Sequence, residues 1–318
     1  MENENTQAAT THDGQSTNVQ VDTPVQGGAQ ESAQNAQANA QAGTRTQGAN
    51  TQANGQGTNA QGTPQSTDNV LVCENISKIY GKGDNITKAL DNVSLSVKPG
   101  EFIGIMGPSG SGKTTLLNCI STIDTVSEGH IYVQGADITA LPQKELSRFR
   151  REQLGFIFQE SNMLDTMTLR ENISLALTIS KVDAGEITQR VENIANTLNI
   201  SDQLDRYPYE ISGGQRQRAA AARAIVTNPS LVMADEPTGA LDSKNARILL
   251  ESLENMNQNL GATIMMVTHD SVAASYANRV LFIKDGKLFT ELHKGAKERK
   301  EFFNDVLGVL AQLGGEDA

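Results

Sequence analysis

The chain has 318 residues, 37% hydrophobic and 20% charged, with a formal net charge of −11, enough apolar content for one large or two ordinary cores. The acidic balance lacks the basic surplus of a non-specific nucleic-acid binder, so no nucleic-acid partner is expected. Cys73 and Cys119 have neither metal-ligand nor disulfide-framework spacing, which excludes a structural zinc site and reads as two small buried residues in a reducing compartment.

In chain order, residues 1–68 come first. They hold none of the 5 Tyr and 8 Phe, and Met1, Val19, Val21 and Val25 are their only larger aliphatic side chains. Rich in Gln, Asn, Thr, Ala and Gly, this stretch cannot build a core and is expected to be a disordered tail, serving as a tether, an interaction segment or neither. It opens without the basic and apolar regions of a secretory signal. Nowhere do 18 apolar residues run together, so no membrane span is expected.

Apolar alternation begins at 70–72 and returns at 93–97. The turn at Lys98, Pro99 and Gly100 then leads into the apolar run Phe102–Met106, so several strands joined by tight turns are expected. A helix follows over 114–123 and a strand within 129–135. From about 143 to 211 the pattern is mostly helical and more polar. A helix rich in Ala and Arg over 215–227, a strand at 231–234, a helix over 243–260, a strand at 263–268 and a meander over 280–288 complete the pattern. Strands alternating with helices imply an α/β fold with a mainly parallel sheet, and the early strand cluster implies an added antiparallel layer. Near the end, Phe302, Phe303, Val306, Leu307, Leu310 and Leu313 recur at helical spacing over about 297–313. Gly314 and Gly315 are expected to stop that helix. Its apolar face either packs on its own domain or docks a partner.

The chemistry begins at Gly107, Pro108, Ser109, Gly110, Ser111, Gly112, Lys113 and Thr114, where two glycines with four residues between them precede Lys and a hydroxyl. Such a loop curls so that successive N–H groups face phosphate oxygens, and the next helix adds its positive end. Lys113 would reach the β- and γ-phosphates and Thr114 would bind Mg²⁺. The strand at 231–234 ends in Asp235 and Glu236; Asp235 is placed for the Mg²⁺ water shell and Glu236 for general-base work on a water. His269 follows the strand at 263–268 and is expected beside those carboxylates, within reach of the γ-phosphate. Ser212, Gly213, Gly214 and Gln215 open the Ala/Arg helix, either as an ordinary capped start or as a second anion site.

Taken together, the phosphate loop, Gln159 after Phe158, Ser212 to Gln215, Asp235 with Glu236, Gly239 to Asp242, and Thr268 to Asp270 follow the order of ATP-binding-cassette (ABC) ATPases. The resemblance covers about residues 69–318. It implies a P-loop NTPase domain with a helical subdomain at about 160–227. Tyr80 resembles the aromatic that stacks on adenine, and the phosphate loop through Thr115 resembles the triphosphate site. Gln159 resembles the residue that senses Mg²⁺ and the attacking water and adjoins a membrane partner. Ser212 and Gly214, with Gly213 and Gln215 between and after them, resemble the signature that binds ATP held by the opposite subunit. Asp242 resembles the residue crossing between subunits, Glu236 the base and His269 the γ-phosphate switch. The implied unit is a homodimer with ATP sandwiched between its halves, on the cytoplasmic face of the cell membrane and driving a separate integral-membrane permease.

The segments 155–159, 165–172, 214–218 and 236–243 are similar to the macrolide-efflux, lipoprotein-release and antimicrobial-peptide-resistance group, and within it 162–172 and the ending at 301–315 are similar to bacitracin-type peptide exporters. Removal of antimicrobial peptides is therefore the expected function. Lipoprotein release, cell division or a non-transport ABC ATPase are the alternatives.

Overall fold

The computed structural model describes residues 68–83 and 85–315; the tail expected for residues 1–68 lies, but for Asp68, outside the described residues. Two sheets carry the architecture. The first has the order β2-β1-β4-β5, formed by β1 (Leu71–Tyr80), β2 (Thr87–Val97), β4 (Glu128–Val133) and β5 (Ala136–Asp137), all antiparallel. The second contains β3 (Phe102–Met106), β6 (Leu154–Ile157), β7 (Leu231–Asp235), β8 (Ile264–Val267), β9 (Arg279–Lys284) and β10 (Lys287–His293), in the order β10-β9-β3-β8-β7-β6. Its strands are parallel except for the terminal hairpin of β9 and β10.

The central strands are buried on both faces, so their near-continuous apolar runs conceal a two-residue alternation. Ile103, Ile105, Met233, Met265, Val267, Leu281 and Ile283 point to one core, shared with the antiparallel sheet and with Leu116, Leu117 and Ile120 of helix α1 (Lys113–Ile120). Phe102, Met106, Val232, Ala234, Ile264, Met266, Val280 and Phe282 point to the other. There they meet α3 (Leu169–Ile179), α4 (Ala184–Thr197), α5 (Gly213–Ile225), α6 (Ser243–Leu260), α7 (Ser271–Ala274) and α8 (Arg299–Gly315). Each fully buried Phe, Leu or Ile here contributes roughly 1.5–3 kcal/mol.

The stretch expected to be mostly helical also holds a strand. After α2 (Gln143–Gln153) the chain enters β6, the edge strand of the parallel sheet, before α3. Four residues are too few to display a period. Tertiary packing makes the strand: at Gly155 a side chain would stand 2.2 Å from the Ala224 carbonyl oxygen, so glycine lets β6 lie directly against α5. The run of Ala219, Ala220, Ala221 and Ala222, all buried, suits that close approach. At the end of the chain Gly314 and Gly315 are the last described residues of α8. Phe302, Val306 and Leu313 are buried, Phe303 and Leu310 partly so, and Leu307 is exposed. The face therefore packs on its own domain, with Leu307 left outside it. Among the described residues no helix is long and apolar enough to cross a membrane.

Candidate functional site

The carboxyl ends of β3, β8, β7 and β6 lie side by side along one sheet edge, and each is followed by residues singled out in the sequence: 107–112, His269, Asp235 with Glu236, and Gln159. In open parallel sheets this edge is where ligands bind.

After β3 the chain turns through Gly107 at φ 151° and Gly112 at φ 104°. Neither position tolerates a side chain: a Cβ on Gly107 would lie 2.0 Å from the Ile283 carbonyl oxygen and one on Gly112 would lie 2.4 Å from that of Ala89. Gly112 is the N-cap of α1, and no side chain caps that helix, so its first-turn N–H groups remain available to an anion. The Lys113 ammonium donates to the carbonyls of Gly107 (2.9 Å) and Pro108 (2.8 Å), drawn back across the loop. Burial pushes its pKa down, opposed by the charges of Glu236 and Asp235. The Ser111 hydroxyl is buried without a hydrogen-bond partner, an orphan donor inside the cradle. Thr114 is exposed at the helix start and Thr115 is partly exposed.

Across from this cradle stand the carboxylates. Burial, with help from Glu236, raises the Asp235 pKa against the lowering effect of Lys113. Glu236 sits at φ 45°, a left-handed conformation rarely held by a glutamate and common at functional sites. Its N–H donates to the Val267 carbonyl (2.9 Å) and its carbonyl accepts from the Gly239 N–H (2.9 Å), which fixes the turn. The Glu236 carboxylate and the His269 Nδ1 are 3.0 Å apart. Gln159 is exposed and lies against Gly239, where a Cβ would come within 2.9 Å of the Gln159 amide nitrogen. Lys113, Asp235, Glu236, His269 and Gln159 thus share one neighbourhood.

Tyr80 ends β1, 40% exposed, and its hydroxyl donates to Asp124 Oδ2 at 2.7 Å. Ser212 belongs to a different neighbourhood. It caps α5, accepting from the Gln215 N–H at 3.3 Å, while its own N–H donates to the Gln215 side chain at 2.9 Å. Asp242 caps α6 through the N–H groups of Lys244 and Asn245, both at 3.0 Å; these bonds and the Asn245 amide hold its carboxyl below the usual carboxylate range. Asn245 joins the two motifs. Its Nδ2 donates to Asp242 Oδ2 at 2.6 Å, and its side chain lies over Gly214, where a Cβ would be 2.1 Å from Asn245 Oδ1. At Gly213 a Cβ would make only an ordinary contact, 3.8 Å from the Arg216 guanidinium. Among the described residues no hydrogen bond or ion pair links residues 212–215 to residues 107–115.

These groups suit a magnesium nucleotide. The uncapped helix start, the orphan Ser111 hydroxyl and the Lys113 ammonium are donors for phosphate. The Thr114 hydroxyl, the Asp235 carboxylate and the Gln159 carbonyl are hard oxygen donors, the kind with which Mg²⁺ supplements its waters and a phosphate. Phosphate cradle, paired carboxylates and parallel sheet define a P-loop nucleoside triphosphatase.

A family model described as "ABC transporter" matches residues 90–239. The chain is 52% identical over 246 residues to the bacitracin export ATP-binding protein BceA of Halalkalibacterium halodurans, covering 77% of this chain and 97% of that one. It is 43% identical over 229 residues to the macrolide export ATP-binding/permease protein MacB of Campylobacter jejuni, covering 72% of this chain and 34% of that protein. A dimeric, post-hydrolysis structure of the ATP-binding cassette MJ0796 bound to ADP and Pi is similar at 37% identity and TM-score 0.64, covering 70% of this chain and 98% of that one. The chain belongs to the ATP-binding proteins of ABC transporters. It binds and hydrolyses ATP.

Sequence reasoning missed three polar residues that organise the site: Asn245, Asp124 and Lys78. Asn245 had a readable signal, since an Asp cap followed three residues later by Asn sets up a first-turn contact. Lys78 and Asp124 are 46 residues apart, and no local pattern relates them.

Proposed function

We propose that two copies of this chain sandwich ATP and drive a separate integral-membrane permease that removes peptide antibiotics of the bacitracin type from the outer face of the cytoplasmic membrane. The observation that carries this reading is the 52% identity to a bacitracin export ATP-binding protein along nearly that protein's whole length. Within each site the loop N–H groups, Ser111 and Lys113 hold the phosphates, and Thr114, Asp235 and Gln159 hold Mg²⁺, which would offset phosphate charge. Glu236 takes the proton of the attacking water, and His269, hydrogen-bonded to it, reports the γ-phosphate. Tyr80 stacks on adenine. Ser212 offers its hydroxyl, and Gly213 and Gly214 their N–H groups, to the nucleotide of the opposite subunit, with Gln215 bracing their helix and Asp242 crossing beside them.

The permease contact is assigned to the helical segment at about 160–227 and Gln159. Beside Gln159 an open groove of about 460 Å³ is lined by Phe156, Phe158, Leu175, Ile179, Arg150 and Arg223, an apolar floor with cationic rims suited to a short amphipathic helix. On this reading the protein is peripheral on the cytoplasmic side.

The test is genetic. Deleting the gene should sensitise cells to bacitracin, the wild-type gene should restore resistance, and Lys113→Ala should not. Unchanged bacitracin sensitivity together with mislocalised lipoproteins or abnormal division would transfer the ATPase to one of those processes.

A further inference from the structure

Tyr80 does not stand freely beside the phosphate loop. The Lys78 ammonium, on a residue only 7% exposed, donates to Asp124 Oδ1 at 2.5 Å and to the Thr125 carbonyl at 2.6 Å, and lies over the Tyr80 ring 4.9 Å from its centroid. Asp124 therefore holds both neighbours, the ammonium through one carboxylate oxygen and the tyrosine hydroxyl through the other. Burial acts to raise the Asp124 pKa, but Lys78, Tyr80 and the Thr125 N–H together hold it below the carboxylate range. Burial and then Asp124 push the Tyr80 phenol up against the lowering effect of Thr115, so it remains a hydrogen-bond donor at neutral pH. With the cation on one face of the ring, the opposite face is left for a ligand.

The position of Asp124 follows from α1. The carbonyl of Asn118, in the last turn of that helix, accepts from the N–H groups of both Ile123 and Asp124 at 3.0 Å, and Thr122 makes the intervening turn at φ 58°. The helix whose N-terminus forms the phosphate cradle thus fixes, at its other end, the carboxylate that orients Tyr80. We propose that Asp124, backed by Lys78, is a positioning residue that presents the Tyr80 ring to the adenine base and sets its register relative to the phosphate cradle. This rests on the stacking role proposed for Tyr80.

The experiment compares calorimetric binding of ADP with that of ribose 5-diphosphate, which keeps the phosphates and lacks the base, to the full chain; thermal melts check folding. Tyr80→Ala should weaken ADP about tenfold, the scale of one lost base stack, and leave ribose 5-diphosphate unchanged. Asp124→Ala and Tyr80→Phe should each weaken ADP about threefold, on the scale of one lost hydrogen bond, again without affecting ribose 5-diphosphate. Their double variant should lose no more than either alone, since both remove the same tether. Lys78→Met, with similar aliphatic volume, should act in the same direction. Unchanged ADP affinity in folded Asp124→Ala or in Tyr80→Phe, or equal weakening of both ligands, would overturn the positioning role. Unchanged ADP affinity in Tyr80→Ala would instead remove the stacking role on which it rests. Tyr80→Phe, a mild change, keeps the test decisive if Asp124→Ala does not fold.

Discussion

Two glycine-rich helix starts in this molecule look alike as sequence and differ as chemistry. At α1 the cap is Gly112 with no side-chain partner, so the first-turn donors stay open to an external anion. At α5 Ser212 and Gln215 form a reciprocal capping box that satisfies donors from within the chain. The first start faces Asp235 and Glu236, whose charges act on Lys113; the second is braced by Asn245 and Asp242. A single chain therefore leaves the start of α1 open, whereas the start of α5 is capped from within the chain.

The largest expected effect tests the cradle. Glu236→Gln should cut ATP hydrolysis about 10²-fold or more while nucleotide affinity, measured by calorimetry, stays near wild type. Substantial turnover in the folded variant would remove Glu236 from the base role and weaken the contrast between the two starts.

Next come the glycines. Gly214→Ala should lower stability by about 1–3 kcal/mol, the usual cost of overpacking, because the whole Asn245 side chain must move off its bond to Asp242. Adding Asn245→Ala should recover part of the loss, whereas Gly213→Ala should cost little. Chemical denaturation measures all three, and equal destabilisation at 213 and 214 would refute the Asn245 brace.

A smaller effect separates the caps. Ser212→Ala should cost about 1 kcal/mol of stability, a typical N-cap loss, without changing ADP affinity at the phosphate loop. Weaker binding of ADP by a single chain would mean that the signature serves its own nucleotide.

The mildest test uses pH. Asp235, with its pKa raised by burial, begins to protonate above the ordinary carboxylate range as pH falls. Asp242, with its pKa lowered, contributes a cap present above the unfolded-state pKa and lost only as pH falls through its lower folded value. Acidification should therefore weaken Mg²⁺-dependent nucleotide binding before it loosens α6. Calorimetry and circular dichroism across the same pH series would show the order, and the reverse order would contradict it.

Much of the molecule was legible because its information is local. The phosphate loop, the apolar strand ending in Asp235 and Glu236, and the Ser212 cap are each written within a few consecutive residues, and α6 begins and ends at the residues its pattern names. Four-residue β6 was not legible, since its strand conformation depends on α5 lying against Gly155. Nor was the exposure of Leu307, because helical spacing reports a face but not how far the neighbouring elements extend to cover it.

The order of motifs, the α/β alternation and the residue types able to handle a triphosphate are all written locally along the chain. Backbone geometry at glycines, caps and strand ends is governed by near neighbours in the chain. Tertiary structure alone decided which groups meet: His269 at 3.0 Å from Glu236, Gln159 on Gly239, Asn245 over Gly214, and Lys78 and Tyr80 on the same carboxylate. Those contacts join residues tens of positions apart at the edge where parallel strands end. Short-range forces act between them only after the two cores have packed and set the register of β3, β8, β7 and β6.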